Sequence, residues 1–481
     1  MTIRAQSTQA SSPRESRTAV APRPWSCDTF AVHGAHTPYA ATLLAKNSDR
    51  PALETQPLRW LDRREGGGRL RLAYVEIDDA PETIPHLGSS PYWCWGHEAG
   101  VNTHGVAIGN EALFTRDVAT TAAMDRSGLD VTPGILGMEL LRLGLERGRT
   151  AAEAVTVMTD LLERHGQYGA GTVSTDRAAA AYDHSFLVAD PTEVWVLETT
   201  GRRWATKRVQ NPFWALSNEP TLRDDWEFCS PDLESHATER GWQRTRERLD
   251  FAAAVADPGV PLQVSHIRLQ RSRELLSAAV RGDGVSFAEA RRVLSDHYEG
   301  TFLGGPKFNP ARPDFHTLCM HAHPSGFTWG NTASSMISVL PRGVRPYVWW
   351  AATTPCTSVY VPVAVTGSPL PAALSTAGTQ HGAGPNPERV AADNSAPGSY
   401  WWAFQDLLEA VAGDPDGSGY HERQRQVRSV FDRLQQQWLG QADDLADDGT
   451  DEQWQALTEQ CVTEAQAAAH DLVRGFNRSR G

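Results

Sequence analysis

The order in which patterned segments follow one another constrains this chain more than any single motif. Thr29 to His33 and Thr42 to Ala45 are strand-like runs separated by a Gly/His/Pro turn over 34–38, which predicts a hairpin. Arg69 to Ile77 alternates apolar and polar residues as a half-solvated strand does, and two further strands flank the Asn-Thr-His-Gly turn at 102–105. Helical periodicity then takes over at 134–147 and 151–165, with Thr150 as N-cap and Glu153 completing a capping box. A meander over 185–189, 194–199 and 203–209 follows, and then a short strand at 214–218. Helical signals dominate 235–298, strand character returns at 317–321, 332–340, 347–350 and 358–365, and helices close the chain from Tyr400 to Arg474. Strands and helices therefore come in runs rather than in βαβ alternation. That order predicts an α+β protein in which antiparallel sheets are layered with helices.

A chain of 481 residues, 40% hydrophobic and 21% charged, can bury a large core. The formal net charge of −13 argues against nucleic acid or an anionic membrane as the main partner, because both are met by clustered Lys and Arg. No apolar run approaches the roughly 18 residues of a membrane span. The six cysteines are scattered, without CxxC pairs, so neither a disulfide framework nor a zinc module is expected, and no metal or cofactor is. Residues 1–26 have four arginines but lack the apolar centre of a secretory signal, and they read as a disordered leader on a cytoplasmic protein. The expected organisation is a main domain over 27–440 with a Gly/Pro/Ala/Ser-rich insertion around 366–398 and a helical tail over 441–481. Self-association remains open.

The chemistry centres on Trp25-Ser26-Cys27-Asp28-Thr29-Phe30, where the leader meets the first strand. If the bond before Cys27 is cut, that residue carries a thiol and an α-amine of pKa about 7.7–8.0, so nucleophile and base come together. On the hexapeptide alone, a small buried hydrophobe is the better reading. Lys46-Asn47-Ser48-Asp49-Arg50 follows the second strand, where side chains can emerge beside Cys27 or simply form a turn that caps the strand. Gly105 to Glu111 ends in Asn110 and Glu111, and Trp214 to Asn218 ends in a polar pair. His97, His321 and His323 lack the HExxH arrangement and read as hydrogen-bonded structural residues.

Taken in order, Cys27-Asp28-Thr29-Phe30, Lys46 to Arg50, Trp95-Gly96-His97-Glu98, Gly105 to Glu111, Cys319-Met320-His321, Thr332-Ala333-Ser334 and Tyr400-Trp401-Trp402 resemble the secernin and dipeptidase A family, peptidase family C69. The resemblance implies the N-terminal-nucleophile hydrolase fold, a four-layer αββα sandwich, here with a C-terminal helical elaboration. It implies hydrolysis of C–N bonds of dipeptides or other small peptides through a thioester on Cys27. Asp49 would orient the Cys27 amine, and Lys46 would stabilise the thiolate or developing charge. The penicillin V acylase and bile salt hydrolase relatives have Arg where this chain has Lys46, and a point ammonium cannot hold a carboxylate in a fork. By the same resemblance Asn110 and Asn218 flank the reacting carbonyl as oxyanion donors, Glu111 lies on the substrate side, and a late substrate-binding arginine corresponds to Arg273 or Arg271. Two other readings are a non-peptide amidase acting on N-acyl compounds and a non-enzymatic regulatory protein.

Overall fold

A computed structural model describes residues 26–243, 247–305, 308–326, 328, 330–380, 386–414 and 416–478; of the expected leader, only Ser26 falls among them. Two antiparallel sheets form the centre. The first runs in spatial order β12 (Phe213–Leu216), β1 (Cys27–Val32), β2 (Thr42–Pro51), β14 (Gly330–Leu340), β15 (Tyr347–Ala352) and β16 (Val361–Ala364). The second runs β13 (Phe228–Cys229), β11 (Arg203–Arg208), β10 (Val194–Thr200), β9 (Asp183–Ala189), β8 (Ala107–Leu113), β7 (Ala99–Asn102), β6 (His86–Ser89) and β3 (Leu58–Leu61). A separate ribbon pairs β4 (Arg69–Arg71) with β5 (Glu76–Asp78).

The sheets face one another through β1 and β2 on one side and β8 and β9 on the other. Gly109 permits this close approach: a Cβ there would lie 3.1 Å from Thr29 Cγ2 and 3.3 Å from Lys46 Cδ. Helices Gly137–Arg147 and Ala151–His165 cover the outer face of the second sheet with stripes that include Leu140, Leu141, Leu145, Ala154, Met158 and Leu162. Thr150 caps the second of these helices, its hydroxyl accepting from Glu153 N at 3.2 Å. The first sheet is covered by His266–Arg281, Phe287–Leu294, Tyr400–Ala412, Tyr420–Leu445 and Asp451–Arg478. The result is the four-layer αββα sandwich expected from the sequence.

The last three helices belong to the main core, which is continuous from Phe30 to Phe476. Trp438, Trp454 and Phe476 are buried in it, each fully buried large side chain stabilising the fold by about 1.5–3 kcal/mol. The helix Tyr420–Leu445 runs through the boundary expected at 440. Three local expectations are corrected. Arg69 to Ile77 is a tight hairpin instead of one strand, closed by Leu72 N donating to Val75 O at 2.9 Å, because burying both Leu72 and Ile77 requires the chain to fold back. Thr317 to His321 is irregular rather than a strand; its backbone bonds outward, to Asp296 and Thr332. The second strand does not end at Ala45 but continues through Pro51, since β14 pairs with it along its whole length. Lys46 to Arg50 are thus strand residues, not a capping turn.

Candidate active site

Strand periodicity sorts the site into two faces. In β1, Cys27 and Thr29 point between the sheets while Asp28 and Phe30 point toward the covering helices; in β2, Lys46 lies opposite Thr29 and Ser48 opposite Cys27. Lys46 is therefore driven into the space between the sheets, where its ammonium donates to Asn110 O at 2.5 Å and lies 3.5 Å from Glu111 Oε1. Thr29 Oγ1 also donates to Glu111. Burial opposes the Lys46 charge, but Cys27, Glu111, Glu98 and Asp49 more than offset it and hold its pKa above the ordinary lysine value. Burial pushes the Glu111 carboxyl up to about 8 against the pull of Lys46. Glu111 has no measurable exposure, so it supports Lys46 from within the sandwich and is not the substrate-side group expected.

Cys27 opens β1 with its backbone N–H donating to Asn218 Oδ1 at 3.0 Å. Asp49 N donates to Cys27 Sγ at 3.4 Å. Burial raises the thiol pKa well above its usual value, with Lys46 opposing. On the helix-facing side, Asp49 Oδ2 accepts from Ser26 Oγ and Oδ1 from Thr332 Oγ1, both at 2.7 Å, and burial raises its pKa.

Arg268 ties these groups together. From the first turn of helix His266–Arg281 its Nη1 donates to Cys27 O at 2.9 Å and to Asp28 Oδ2 at 2.5 Å, while Nη2 donates to Asn218 Oδ1 at 2.7 Å and to Val264 O at 2.9 Å. Burial raises the Asp28 carboxyl to about 7, with Arg268 opposing. Of the arginines on this helix it is Arg268, and not the expected Arg273 or Arg271, that reaches Cys27. Arg271 instead forks onto Asp296 at 3.0 and 2.7 Å. Arg273 lies off the buried stripe, beside Glu219 and Glu198. The signal was in the sequence: Arg268, Ser272, Leu275 and Ala279 share one helix face, and Arg273 does not.

The two asparagines depart from the oxyanion role expected of them. Asn218 Nδ2 is occupied by Ala112 O at 3.0 Å, so its oxygen, rather than its N–H, faces Cys27. In the orientation that satisfies both ends of its amide, Asn110 Nδ2 donates to Glu98 O at 3.0 Å and to Glu98 Oε2 at 2.7 Å. Glu98 is in turn held by Arg50 Nη1 at 2.9 Å. Outside this centre, His97 bonds His86 and Ser90. His321 instead converges with His297, Cys319 and Cys356, a grouping that cysteine spacing did not suggest.

A cysteine therefore opens an inner strand of the αββα sandwich with its backbone nitrogen held by an amide oxygen. Residues 83–258 match the model of Peptidase family C69, the family that the motifs resemble. The matched stretch contains Asn110, Glu111 and Asn218; Cys27, Lys46 and Asp49 precede it and Arg268 follows it. Among solved structures, a mutant conjugated bile acid hydrolase from Clostridium perfringens aligns at 12% identity over 67% of this chain and 88% of its own, with a TM-score of 0.37. Penicillin V acylase from Agrobacterium tumefaciens aligns at 13% identity over 70% and 86%, with a TM-score of 0.36. A Caenorhabditis elegans N-acylethanolamine-hydrolyzing acid amidase ortholog aligns at 10% identity over 65% and 92%, with a TM-score of 0.31. The contacts described above are this chain's own and owe nothing to residue correspondence with those enzymes. Among the described residues, no helix is long and apolar enough to cross a membrane.

Proposed function

We propose that the protein is a cysteine amidohydrolase whose nucleophile is Cys27 after the Ser26–Cys27 bond is cut, with dipeptides or other small peptides as substrates. The observation that carries the reading is the treatment of the Cys27 nitrogen: a buried amide oxygen, Asn218 Oδ1, receives it at 3.0 Å while Arg268 fixes that same oxygen and the Cys27 carbonyl. A strand residue with only a packing role does not need two side chains to fix its main chain.

Cutting before Cys27 converts the amide nitrogen into an amine and removes Ser26, whose hydroxyl occupies Asp49 Oδ2. Asn218 Oδ1 and the released Asp49 oxygen then both accept from the amine and aim its lone pair. The amine takes the thiol proton, and the sulfur attacks the substrate carbonyl carbon. As the C–N bond breaks, the protonated amine gives its proton to the leaving nitrogen. Water, deprotonated by the same amine, attacks the thioester, the acid departs and the thiol is restored. Lys46 supplies the positive charge that favours the thiolate, and Glu111 holds Lys46 in place. Burial keeps the uncut thiol neutral, so cutting also serves as activation. A soluble cytoplasmic setting and a small peptide or amide partner belong to the same proposal.

Intact mass and N-terminal sequencing of the purified protein, followed by a screen of dipeptides and N-acyl amides against Cys27→Ala, test the reading. A chain beginning at Cys27 that hydrolyses dipeptides in a Cys27-dependent way is the expected result. Turnover of N-acyl amides alone would replace the peptide substrate with the amidase reading. A chain that starts at Cys27 and hydrolyses neither would refute the enzymatic proposal in favour of a binding role.

A further inference from the structure

Away from Cys27, four side chains from three separate segments meet in the interior: His297 just beyond helix Phe287–Leu294, Cys319 and His321 ahead of β14, and Cys356 in the loop after β15. One ligand atom from each lies within 4.8 Å of every other, and all four residues are buried. His321 Nε2 stands 3.2 Å from His297 Nε2, 3.2 Å from Cys356 Sγ and 3.6 Å from Cys319 Sγ. An imidazole nitrogen carries either one proton or one lone pair, so it cannot satisfy three such neighbours by hydrogen bonding. Four donors turned toward one point instead describe the corners of a coordination polyhedron.

We infer that His297, Cys319, His321 and Cys356 form a structural metal site for a zinc-type divalent cation. Two thiolates and two imidazoles are the soft and borderline ligands that select zinc, and four protein donors leave no open position for catalysis. With Zn–S of about 2.3 Å and Zn–N of about 2.0–2.1 Å, a tetrahedron has N–N, N–S and S–S edges of about 3.3, 3.5 and 3.8 Å. The three separations from His321 Nε2, 3.2 Å to nitrogen and 3.6 and 3.2 Å to sulfur, lie within about 0.4 Å of the first two of these edges.

The surroundings suit such a site as well. His297 Nδ1 faces Glu299 Oε1 at 3.0 Å, which places the proton on Nδ1 and leaves the Nε2 lone pair toward the cluster, the usual carboxylate–histidine–metal relay. Tyr420 Oη lies 3.3 Å from Cys356 Sγ, where it can donate to a thiolate. A cavity of about 690 Å³ bordered by Cys356, Ser295, Asp296 and Glu299 provides a path inward. Binding displaces the two thiol protons to solvent, and both sulfurs bond the metal as thiolates. The cation would pin segment 297–321 to the 356 loop. It thereby supports the active site, because Met320 N donates to Thr332 Oγ1 at 3.0 Å and that hydroxyl holds Asp49.

Metal analysis of the full chain, purified without chelator and supplied with zinc, should find about one zinc per chain, the capacity of a single four-ligand site. Cobalt(II) exchanged into the chelator-stripped protein should give thiolate-to-cobalt charge-transfer absorption and the intense visible bands of a tetrahedral centre. Cys319→Ser and Cys356→Ser should lose the metal, Cys229→Ser should keep it, and Glu299→Gln should weaken zinc affinity by about 10- to 100-fold. Chelation of the wild-type protein should lower its Tm and re-addition of zinc should restore it, a readout that does not depend on whether the cysteine variants fold. Folded wild-type protein that binds no zinc or cobalt, or whose native mass reveals a Cys319–Cys356 disulfide, would overturn the assignment.

Discussion

Arg268→Met separates the structural and chemical roles of the buried arginine. Arg268 is fully buried and is the ion-pair partner of Asp28, which is itself buried. Removing one member of such a pair leaves the other charge uncompensated and costs about 3–5 kcal/mol. The cost depends on pH in a defined direction. With Arg268 present, burial raises the Asp28 pKa from its ordinary carboxylate value to about 7. A raised carboxyl contributes stability that is complete below the unfolded pKa and is lost as pH rises through the folded one, so in the wild type this loss ends near pH 7. Without Arg268 the folded pKa moves higher still, and the loss continues. Between pH 7 and 8 the variant should therefore fall further behind the wild type by about 1 kcal/mol. Urea denaturation followed by tryptophan fluorescence at pH 6, 7 and 8 measures this. Adding Asp28→Asn removes the orphaned charge and should return stability to within about 1 kcal/mol of wild type. Hydrolysis should not return with it, since nothing then donates to Asn218 Oδ1 and Cys27 O from that side. Parallel pH curves for Arg268→Met and wild type, or a double variant as unstable as the single one, would refute this account.

Three more outcomes follow from particular contacts. Asn218→Ala deletes the acceptor of the Cys27 nitrogen and should lower kcat/KM about 100-fold or more, as steady-state kinetics on chains beginning at Cys27 would reveal, and by stripping the donor from Ala112 O it should also cost about 1–3 kcal/mol in urea melts. Asn47→Ala strips the 2.8 Å donors from Leu294 O and Leu318 O and should destabilise the fold by about 2–6 kcal/mol in urea melts, since each unpaired buried carbonyl costs about 1–3 kcal/mol; a loss below about 1 kcal/mol would mean that water replaces the amide. Asp183, raised by burial to about 8, costs the wild type stability as pH climbs from the ordinary carboxylate range toward 8, so Asp183→Asn should gain on the wild type by up to about 1.4 kcal/mol per pH unit in that window, and coincident pH–stability curves would count against it.

What the sequence determined by itself was local and periodic. Runs of strands and helices specified layered antiparallel sheets, and the apolar stripes of 137–147 and 151–165 specified which faces those helices bury. Cys27, Lys46, Asp49, Asn110 and Asn218 stood out as chemistry-bearing residues beside apolar runs, and the resemblance to family C69 drew them together as one site. Tertiary structure decided what those residues do. Pairing with β14 carried β2 on to Pro51, and that alternation sent Lys46 between the sheets and Asp49 to the other face. Asn218 presents oxygen instead of N–H because Ala112, a residue more than a hundred positions away, occupies its nitrogen. Arg268 rather than Arg273 reaches Cys27 because the helix packs with that stripe inward, a rotation set by the sheet beneath it. The cluster of His297, Cys319, His321 and Cys356 was least legible of all: its ligands are spaced unlike any zinc motif, and only the packing of the 297–321 segment against the loop after β15 brings them within one coordination sphere. Sequence spacing reports neighbours along one element, whereas a site built across elements exists only once the layers have packed.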